Sequence, residues 1–170
     1  MKKKLVMGVL GVIAILAMVM LNVDKHSEPN TGTGVTVGKK VPEFTLNTIT
    51  GQAKTIGRQQ NVTIINFWAT WCPPCREEMP ELNQFYLGHK QDIDFYAINI
   101  QESQAKVNDF IRTNQLVFPV LLDSDGGIAK LFQINAIPTT VVIDKHGIIQ
   151  YRKAGTVTKS ELETVLNKTK

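Results

Sequence analysis

The strongest constraint on the fold is a pair of cysteines placed between a buried strand and a helix. Residues 62–69 (VTIINFWA) form a largely apolar run, which is typical of a strand covered on both faces. Cys72 and Cys75, the only two cysteines of the 170-residue chain, follow closely. From residue 72 to about residue 87, apolar side chains recur at helical spacing. The sequence therefore predicts a helix that begins at Cys72, with Cys72 exposed at its tip and Cys75 one turn further in and more covered.

The position of the two sulfurs favours redox chemistry. A helix N-terminus carries about half a positive charge, which stabilises a thiolate placed there. Pro73 and Pro74 suit the first helical turn, where a missing N–H group does no harm. A thiolate at Cys72 would attack a partner disulfide, and Cys75 would then resolve the mixed disulfide. We therefore predict that Cys72 and Cys75 are catalytic and form a redox-active disulfide.

Other uses of two cysteines fit the sequence less well. A structural disulfide across so short a loop would add little stability. A zinc site needs four ligands, and the three histidines are scattered along the chain. Attachment of a c-type haem needs a histidine directly after the second cysteine, where this chain has Arg76. We predict no metal and no cofactor, because the dithiol itself holds the electrons.

The remaining pattern predicts an α/β fold, with a mixed central β-sheet flanked by helices on both faces. After two N-terminal edge strands, the order strand–helix–strand–helix gives a parallel unit with crossover helices. A β/α insert follows, and then a hairpin and a final helix. Ser103 and Thr158 are the predicted N-caps, with Glu161 at the capping-box position after Thr158. The predicted elements span residues 41–46, 52–57, 62–69, 72–87, 93–100, 103–114, 117–123, 126–134, 139–144, 147–154 and 158–168.

The N-terminus predicts one transmembrane anchor helix. Three lysines at positions 2–4 precede residues 5–21, which lack polar side chains and come near the lower length limit of a membrane-spanning helix. The lysines place the N-terminus inside the cell and the rest of the chain outside. A cleaved signal peptide is the alternative, but the segment lacks an A-x-A-like pattern of small residues. We predict an uncleaved signal-anchor over residues 1–23, a flexible tether over residues 24–37 and one domain over residues 38–170.

The distribution of charge argues against a nucleic-acid surface. The formal net charge is +4, from 19 basic and 15 acidic residues. Three of the basic residues are the lysines at positions 2–4, so the other 16 nearly balance the acidic side chains. Since no basic face remains, we predict that the protein binds no nucleic acid.

Two distant motifs resemble the thioredoxin superfamily. FWATWCPPC, residues 67–75, is similar to its active-site signature, and AIPTTVVI, residues 136–143, to the segment that carries a cis proline facing the cysteines. The resemblance implies a thioredoxin fold in which Pro138 is cis. It also implies that Ile137 offers backbone groups to a bound substrate strand. Trp71 is placed to be an exposed contact for partner proteins.

Further motifs are similar to the ResA/TlpA-like branch of that superfamily. They are GKKVPEFTL, CPPCREEMPEL, NIQES and FPVLLDSDGGIAKLF, and the likeness spans roughly residues 38–168. The branch consists of membrane-tethered thiol–disulfide oxidoreductases outside the cytoplasm, many of which act as reductants. The resemblance implies the same location for this chain, at the bacterial cell membrane with the catalytic domain on the extracytoplasmic side.

The branch resemblance also implies roles for two acids. Cytoplasmic thioredoxins place a buried Asp in the strand before the motif, where this chain has Asn66, which cannot take a proton. Glu78 stands where ResA-like proteins have a Glu near the cysteines, and a desolvated carboxylate there would have a raised pKa and relay the proton of Cys75. Glu102, in NIQES, resembles an acid at the rim of the site. The expected substrate contacts are Trp71, Pro73, Pro74, Glu102, Ile137 and Pro138.

The expected activity is reduction of disulfides in exported proteins, with apocytochrome c as the leading substrate candidate. The resemblance implies a membrane electron donor of the CcdA/DsbD type. An oxidase that forms disulfides remains an alternative, because no sequence feature fixes the relative stabilities of dithiol and disulfide. A tethered binding or chaperone module without redox activity is a second alternative. A peroxidase would need a T-x-x-C setting, and Thr70 stands at the wrong spacing.

Overall fold

A computed structural model describes residues 32–58 and 60–169. These described residues belong to one compact unit. Its strands are β1 (Phe44–Thr48), β2 (Ala53–Ile56), β3 (Val62–Trp68), β4 (Ile93–Ile100), β5 (Val120–Asp123), β6 (Thr139–Ile143) and β7 (Ile149–Ala154). Its helices are α1 (Pro73–His89), α2 (Gln104–Thr113), α3 (Gly127–Leu131) and α4 (Lys159–Thr169).

The described strands form one mixed sheet, in the order β2-β1-β5-β4-β3-β6-β7. The neighbours β3, β4 and β5 run parallel, and the other pairs are antiparallel. The parallel pairs are those joined through a helix, whereas β6 and β7 form the predicted hairpin. The predicted order of elements and the mixed sheet are confirmed.

The active-site strand β3 lies inside the sheet, and each of its residues is buried. Because successive side chains of a strand point to opposite faces, β3 contributes to two apolar layers. Ile64 and Trp68 join the layer that contains side chains of α1, α2 and α4. Ile65 and Phe67 join the opposite layer, which includes Phe132 at the end of α3. Helices therefore cover both faces, as predicted.

Contacts of the folded part reach back into the segment predicted as a tether. Val35 is buried and belongs to the apolar layer of Ile65 and Phe67. The Gly34 N–H donates to the Lys40 carbonyl at 2.9 Å. In residues 32–58 and 60–169, no helix has both the length and the apolar character that a membrane span requires. The predicted anchor, residues 1–23, lies outside the described residues.

The two predicted N-caps form, but the capping box does not close. Ser103 Oγ accepts a hydrogen bond from the Lys106 N–H, and Thr158 Oγ1 accepts one from the Glu161 N–H. The Glu161 carboxylate instead accepts from two side chains of β7, Lys153 Nζ at 2.7 Å and the Tyr151 hydroxyl at 2.7 Å.

Candidate active site

Cys72 and Cys75 are joined in a disulfide at the start of α1. Cys72 is the N-cap residue of the helix, with φ −84° and ψ 110°, and its Sγ atom accepts from the Cys75 N–H at 3.3 Å. Pro73 and Pro74 occupy the first helical positions, as predicted. The pair therefore sits at the helix N-terminus, where the Cys75 N–H, the first N–H group after the two prolines, faces the sulfur of Cys72.

The loop before β6 faces the disulfide from the far end of the sequence. The Ile137–Pro138 peptide is cis, which confirms that prediction. The Ile137 carbonyl oxygen lies 3.7 Å from Cys72 Sγ, although the two residues are 65 positions apart. The Pro138 carbonyl accepts from the Gly155 N–H at 2.8 Å, so the end of β7 fixes the loop. These contacts place a backbone acceptor directly beside the disulfide.

The two cysteines are more enclosed than the sequence predicts. Cys72 is 3% exposed and Cys75 is fully buried, whereas Cys72 was expected to be exposed at the helix tip. The reason is tertiary, because Ile137 packs against the apolar layer that contains both cysteines. Trp71, by contrast, is 64% exposed, and Pro73 and Pro74 are exposed too. The accessible surface of the site is therefore made by the neighbours of the sulfurs.

Glu78 is a buried carboxyl one helical turn after Cys75. Its residue exposure is 4%, and its two oxygens accept from Asn66 Nδ2 and from the Val157 N–H, both at 2.8 Å. Burial raises its pKa to about 7, against the opposing effects of these two bonds and of the Lys153 charge. Residues three apart on a helix share a face, so Glu78 lies on the side of Cys75. A carboxyl with this pKa exchanges protons near neutral pH.

The family resemblance suggested that Glu102 lies at the rim of the site. The structure instead places this residue in the interior. Its side chain is 3% exposed and points inward, toward the loop that precedes Cys72. One oxygen accepts from the Thr70 N–H at 2.6 Å and from Asn99 Nδ2 at 2.8 Å. The other lies 2.6 Å from Thr70 Oγ1 and 2.6 Å from Lys106 Nζ. An inward-facing carboxylate with these partners positions Thr70 and offers no free oxygen to a substrate.

The pKa of Glu102 is lowered, whereas that of Glu78 is raised. Burial alone would raise the pKa of Glu102, but the hydrogen bonds from Lys106, Thr70 and Asn99 outweigh it and lower the pKa to about 2. Thr70 and Asn99 were not predicted as partners of this acid from the sequence. A signal was present for Lys106, which follows Glu102 at the i,i+4 spacing of helical ion pairs.

The described residues offer little to a metal ion. Residues 32–58 and 60–169 contain no cluster of three or more histidine, cysteine or acidic side chains that could hold one. The site itself presents two sulfurs, a buried carboxyl and a backbone acceptor. This combination suits exchange between a dithiol and a disulfide.

Comparison with known proteins agrees with this chemistry. The sequence profile of the AhpC/TSA family matches residues 37–152. Sporulation thiol-disulfide oxidoreductase A of Bacillus subtilis is 36% identical over 124 residues, which cover 71% of this chain and 75% of that protein. Thiol-disulfide oxidoreductase ResA of Geobacillus kaustophilus is 33% identical over 140 residues, which cover 81% and 80%.

A solved structure shows the same arrangement of elements. The crystal structure of StoA from Bacillus subtilis matches with a TM-score of 0.66 and 34% identity, over 73% of this chain and 96% of that one. The mixed sheet and its helices are therefore a thioredoxin-like α/β fold. Family match, relatives and fold lead to one conclusion: the chain belongs to the AhpC/TSA family and is a thiol–disulfide oxidoreductase of the ResA and StoA kind.

Proposed function

We propose that this protein reduces disulfides in exported proteins, using Cys72 and Cys75 as its dithiol. The observation that carries the proposal is the disulfide at the N-terminus of α1, with Cys72 Sγ 3.7 Å from the Ile137 carbonyl. A bound polypeptide that pairs with the Ile137 backbone would bring its own disulfide to Cys72. The exposed side chains around this point, including Trp71, Pro73 and Pro74, would form the contact surface.

The reaction consists of two exchanges. The Cys72 thiolate attacks one sulfur of the substrate disulfide, so a Cys72–substrate bond forms and the substrate S–S bond breaks, releasing one substrate thiol. Cys75 then attacks Cys72 Sγ, which forms the Cys72–Cys75 disulfide and releases the second substrate thiol. Two electrons pass from the dithiol to the substrate, and the protein ends in the oxidised form that the structure describes.

Glu78 is proposed as the proton relay in the second exchange. Cys75 is fully buried and has to lose a proton before it attacks. The Glu78 carboxyl, with a pKa raised to about 7 by burial, accepts a proton near neutral pH. We expect Glu78→Gln to slow the release of the mixed disulfide and to leave the first attack by Cys72 unchanged.

Burial of the sulfurs is one argument for the reducing direction. Burial makes a thiolate costly, so the buried cysteines of the reduced protein gain less from ionisation than the helix N-terminus alone would give them, whereas the disulfide carries no charge and no such cost. Because Cys72 is 3% exposed and Cys75 is fully buried, this cost favours the disulfide form of the protein. A protein whose disulfide form is favoured gives its electrons away, as a reductant does.

The proposed location is the extracytoplasmic side of the bacterial cell membrane. It is supported by the lysines at positions 2–4 and the apolar residues 5–21, which read as an uncleaved anchor. A reductant outside the cytoplasm needs a supply of electrons, so we propose a membrane donor of the CcdA/DsbD type. Apocytochrome c is the proposed substrate, on the strength of the resemblance to the ResA/TlpA-like branch.

The reduction potential of the Cys72–Cys75 pair tests the direction. Tryptophan fluorescence of residues 31–170 across a series of dithiol redox buffers would report it, since Trp68 and Trp71 flank the motif. A potential near about −270 mV supports a reductant, and one near about −120 mV contradicts it in favour of a disulfide-forming oxidase. Replacing both cysteines by serine should abolish activity toward a protein disulfide. If it does not, a tethered binding or chaperone role would replace the redox role.

A further inference from the structure

A second polar cluster lies beside the site, on β7 and the first turn of α4. Lys153 Nζ bonds to both oxygens of the Glu161 carboxylate, at 3.0 and 2.7 Å. The Tyr151 hydroxyl donates to the same carboxylate at 2.7 Å. Three side chains from two elements are therefore tied together, and both charged members are about one-third exposed.

The register of the sheet brings this cluster to the face that holds Glu78. Thr140 on β6 pairs with Asn66 on one side and with Lys153 on the other. Residues directly opposite each other on neighbouring strands point to the same face. Asn66 Nδ2 contacts both Thr140 Oγ1, at 3.1 Å, and Glu78. Asn66, Thr140 and Lys153 therefore form one row beneath α1, and the row ends in an ammonium group.

Helix α4 and the segment just before it cover the region around Glu78. It packs against α1, and the Val157 N–H, just before α4, donates to Glu78. Glu161, which binds Lys153, lies in the first turn of that helix. The elements that enclose Glu78 are thus the elements that hold Lys153 in place.

From this arrangement we infer that Lys153 is a positioning residue, which keeps a fixed positive charge beside Glu78 and thereby sets how readily Glu78 gains and loses its proton. Glu161 and Tyr151 hold the ammonium group in that position. The inference deepens the proposed function, because it concerns the same proton relay. Lys153 lies on β7, far from the cysteine motif in sequence.

The other groups on the strands around Glu78 are neutral or already paired, so Lys153 supplies the charge that acts on the Glu78 carboxyl. Asn66 and Thr140, from β3 and β6, are neutral, and β4 places Ala97 next in the row. The pKa of Tyr151 is raised by burial and by its bond to Glu161, so the phenol stays neutral. The pKa of Glu161 is lowered, chiefly by its bond from Lys153, so this carboxylate is ionised and paired.

On the helix of Glu78 itself, the neighbouring charged side chains face elsewhere. Arg76 and Glu77 are exposed, and the Glu81 carboxylate accepts from the Lys159 N–H at 2.7 Å. Among the charged groups, it is Lys153 that lowers the pKa of Glu78 against the effect of burial. Removing its charge should therefore move the titration of Glu78 upward.

The test follows the Glu78 carboxyl directly in the full-length oxidised protein in detergent micelles. Glutamate labelled with carbon-13 at the side-chain carboxyl gives one NMR signal for each Glu, and Glu78→Gln identifies the signal of Glu78. We expect Lys153→Gln, which keeps a donor to Glu161 but removes the charge, to raise the midpoint of the Glu78 titration. Lys153→Arg should leave it near the wild-type value. Lys168→Gln is the matched control, because Lys168 is an exposed lysine of α4 that lines the same groove as Tyr151 and Glu161.

The inference is overturned if Lys153→Gln moves the midpoint no further than Lys168→Gln does. Should Lys153→Gln fail to give a folded spectrum, Lys153→Met is measured by the same criterion, and an unshifted midpoint there overturns the inference equally. The outcome is separate from that of the proposed relay. Unchanged resolution of the mixed disulfide in Glu78→Gln would refute the relay, whatever Lys153 does to the Glu78 titration.

Discussion

Glu102 offers a stringent test of how the loop before the cysteines is held. Glu102→Gln is the perturbation, because the amide has the shape of the protonated carboxyl and lacks the charge. In the folded protein the Glu102 carboxylate accepts from Thr70 and Asn99 and pairs with Lys106. The substitution leaves these donors in place but removes the ionised acceptor that makes the bonds strong.

The magnitude follows from the pKa of Glu102. It is lowered from an ordinary 4.5 to about 2, so the folded state favours the ionised form. Each unit of difference corresponds to about 1.4 kcal/mol, which gives a contribution of about 3 kcal/mol to the free energy of unfolding. The side chain is 3% exposed, so solvent screening reduces this figure little. The contribution is complete above about pH 4.5 and is lost as the pH falls toward about 2.

Urea unfolding of residues 31–170, followed by tryptophan fluorescence between pH 2.5 and pH 7, measures the effect. We expect Glu102→Gln to be less stable than the wild type by about 3 kcal/mol at pH 7, with the two curves converging in acid. Asp109→Asn, an exposed acid on α2, is the control and should change stability by less than about 0.5 kcal/mol. If the free energy of unfolding of Glu102→Gln differs from that of the wild type by the same amount at every pH, the carboxylate does not act through its charge and the reasoning is refuted.

Four further substitutions test the packing and the contact surface. Leu82→Ala in the fully buried face of α1 should lower the free energy of unfolding by about 2–5 kcal/mol in urea titrations, and retention of wild-type stability would contradict the assigned core. Gly126→Ala should lower it by about 1–2 kcal/mol, because Gly126 has φ +74° and a Cβ there would lie 2.9 Å from Gln101 Nε2. Ser103→Ala should cost about 0.5–1 kcal/mol in the same assay through loss of the N-cap of α2. Trp71→Ala should lower kcat/KM for a protein disulfide while the reduction potential stays unchanged, and a potential that moves instead would show that the 64% exposed Trp71 acts on the sulfurs and not on the partner.

Much of the fold was predictable because its signals are local. The apolar run of β3, the helical spacing after Cys75 and the hairpin before Ile149 each depend on neighbouring residues, and the structure confirms all three elements. The cis peptide at Pro138 was predictable from the resemblance of its motif to known proteins. Local periodicity and turn chemistry therefore sufficed for the order of the elements.

The details that were not predictable depend on contacts between distant segments. Cys72 is enclosed because Ile137, 65 residues away, packs beside it. Glu102 faces inward because Thr70, 32 residues earlier, presents two donors to it. No pattern within a short window encodes such a meeting of loops. Residue types at the site can thus be read from the sequence, while their exposure and protonation require the tertiary structure.

The burial of Glu78 also makes folding a proton-consuming event. Between about pH 4.5, where the unfolded chain loses this proton, and the folded pKa of about 7, the folded protein keeps it. Folding therefore takes up a proton at Glu78 in this interval and becomes less favourable as the medium turns alkaline. Glu102 has the opposite sign and releases a proton on folding below about pH 4.5. The two carboxyls together favour the folded state most in mildly acidic surroundings.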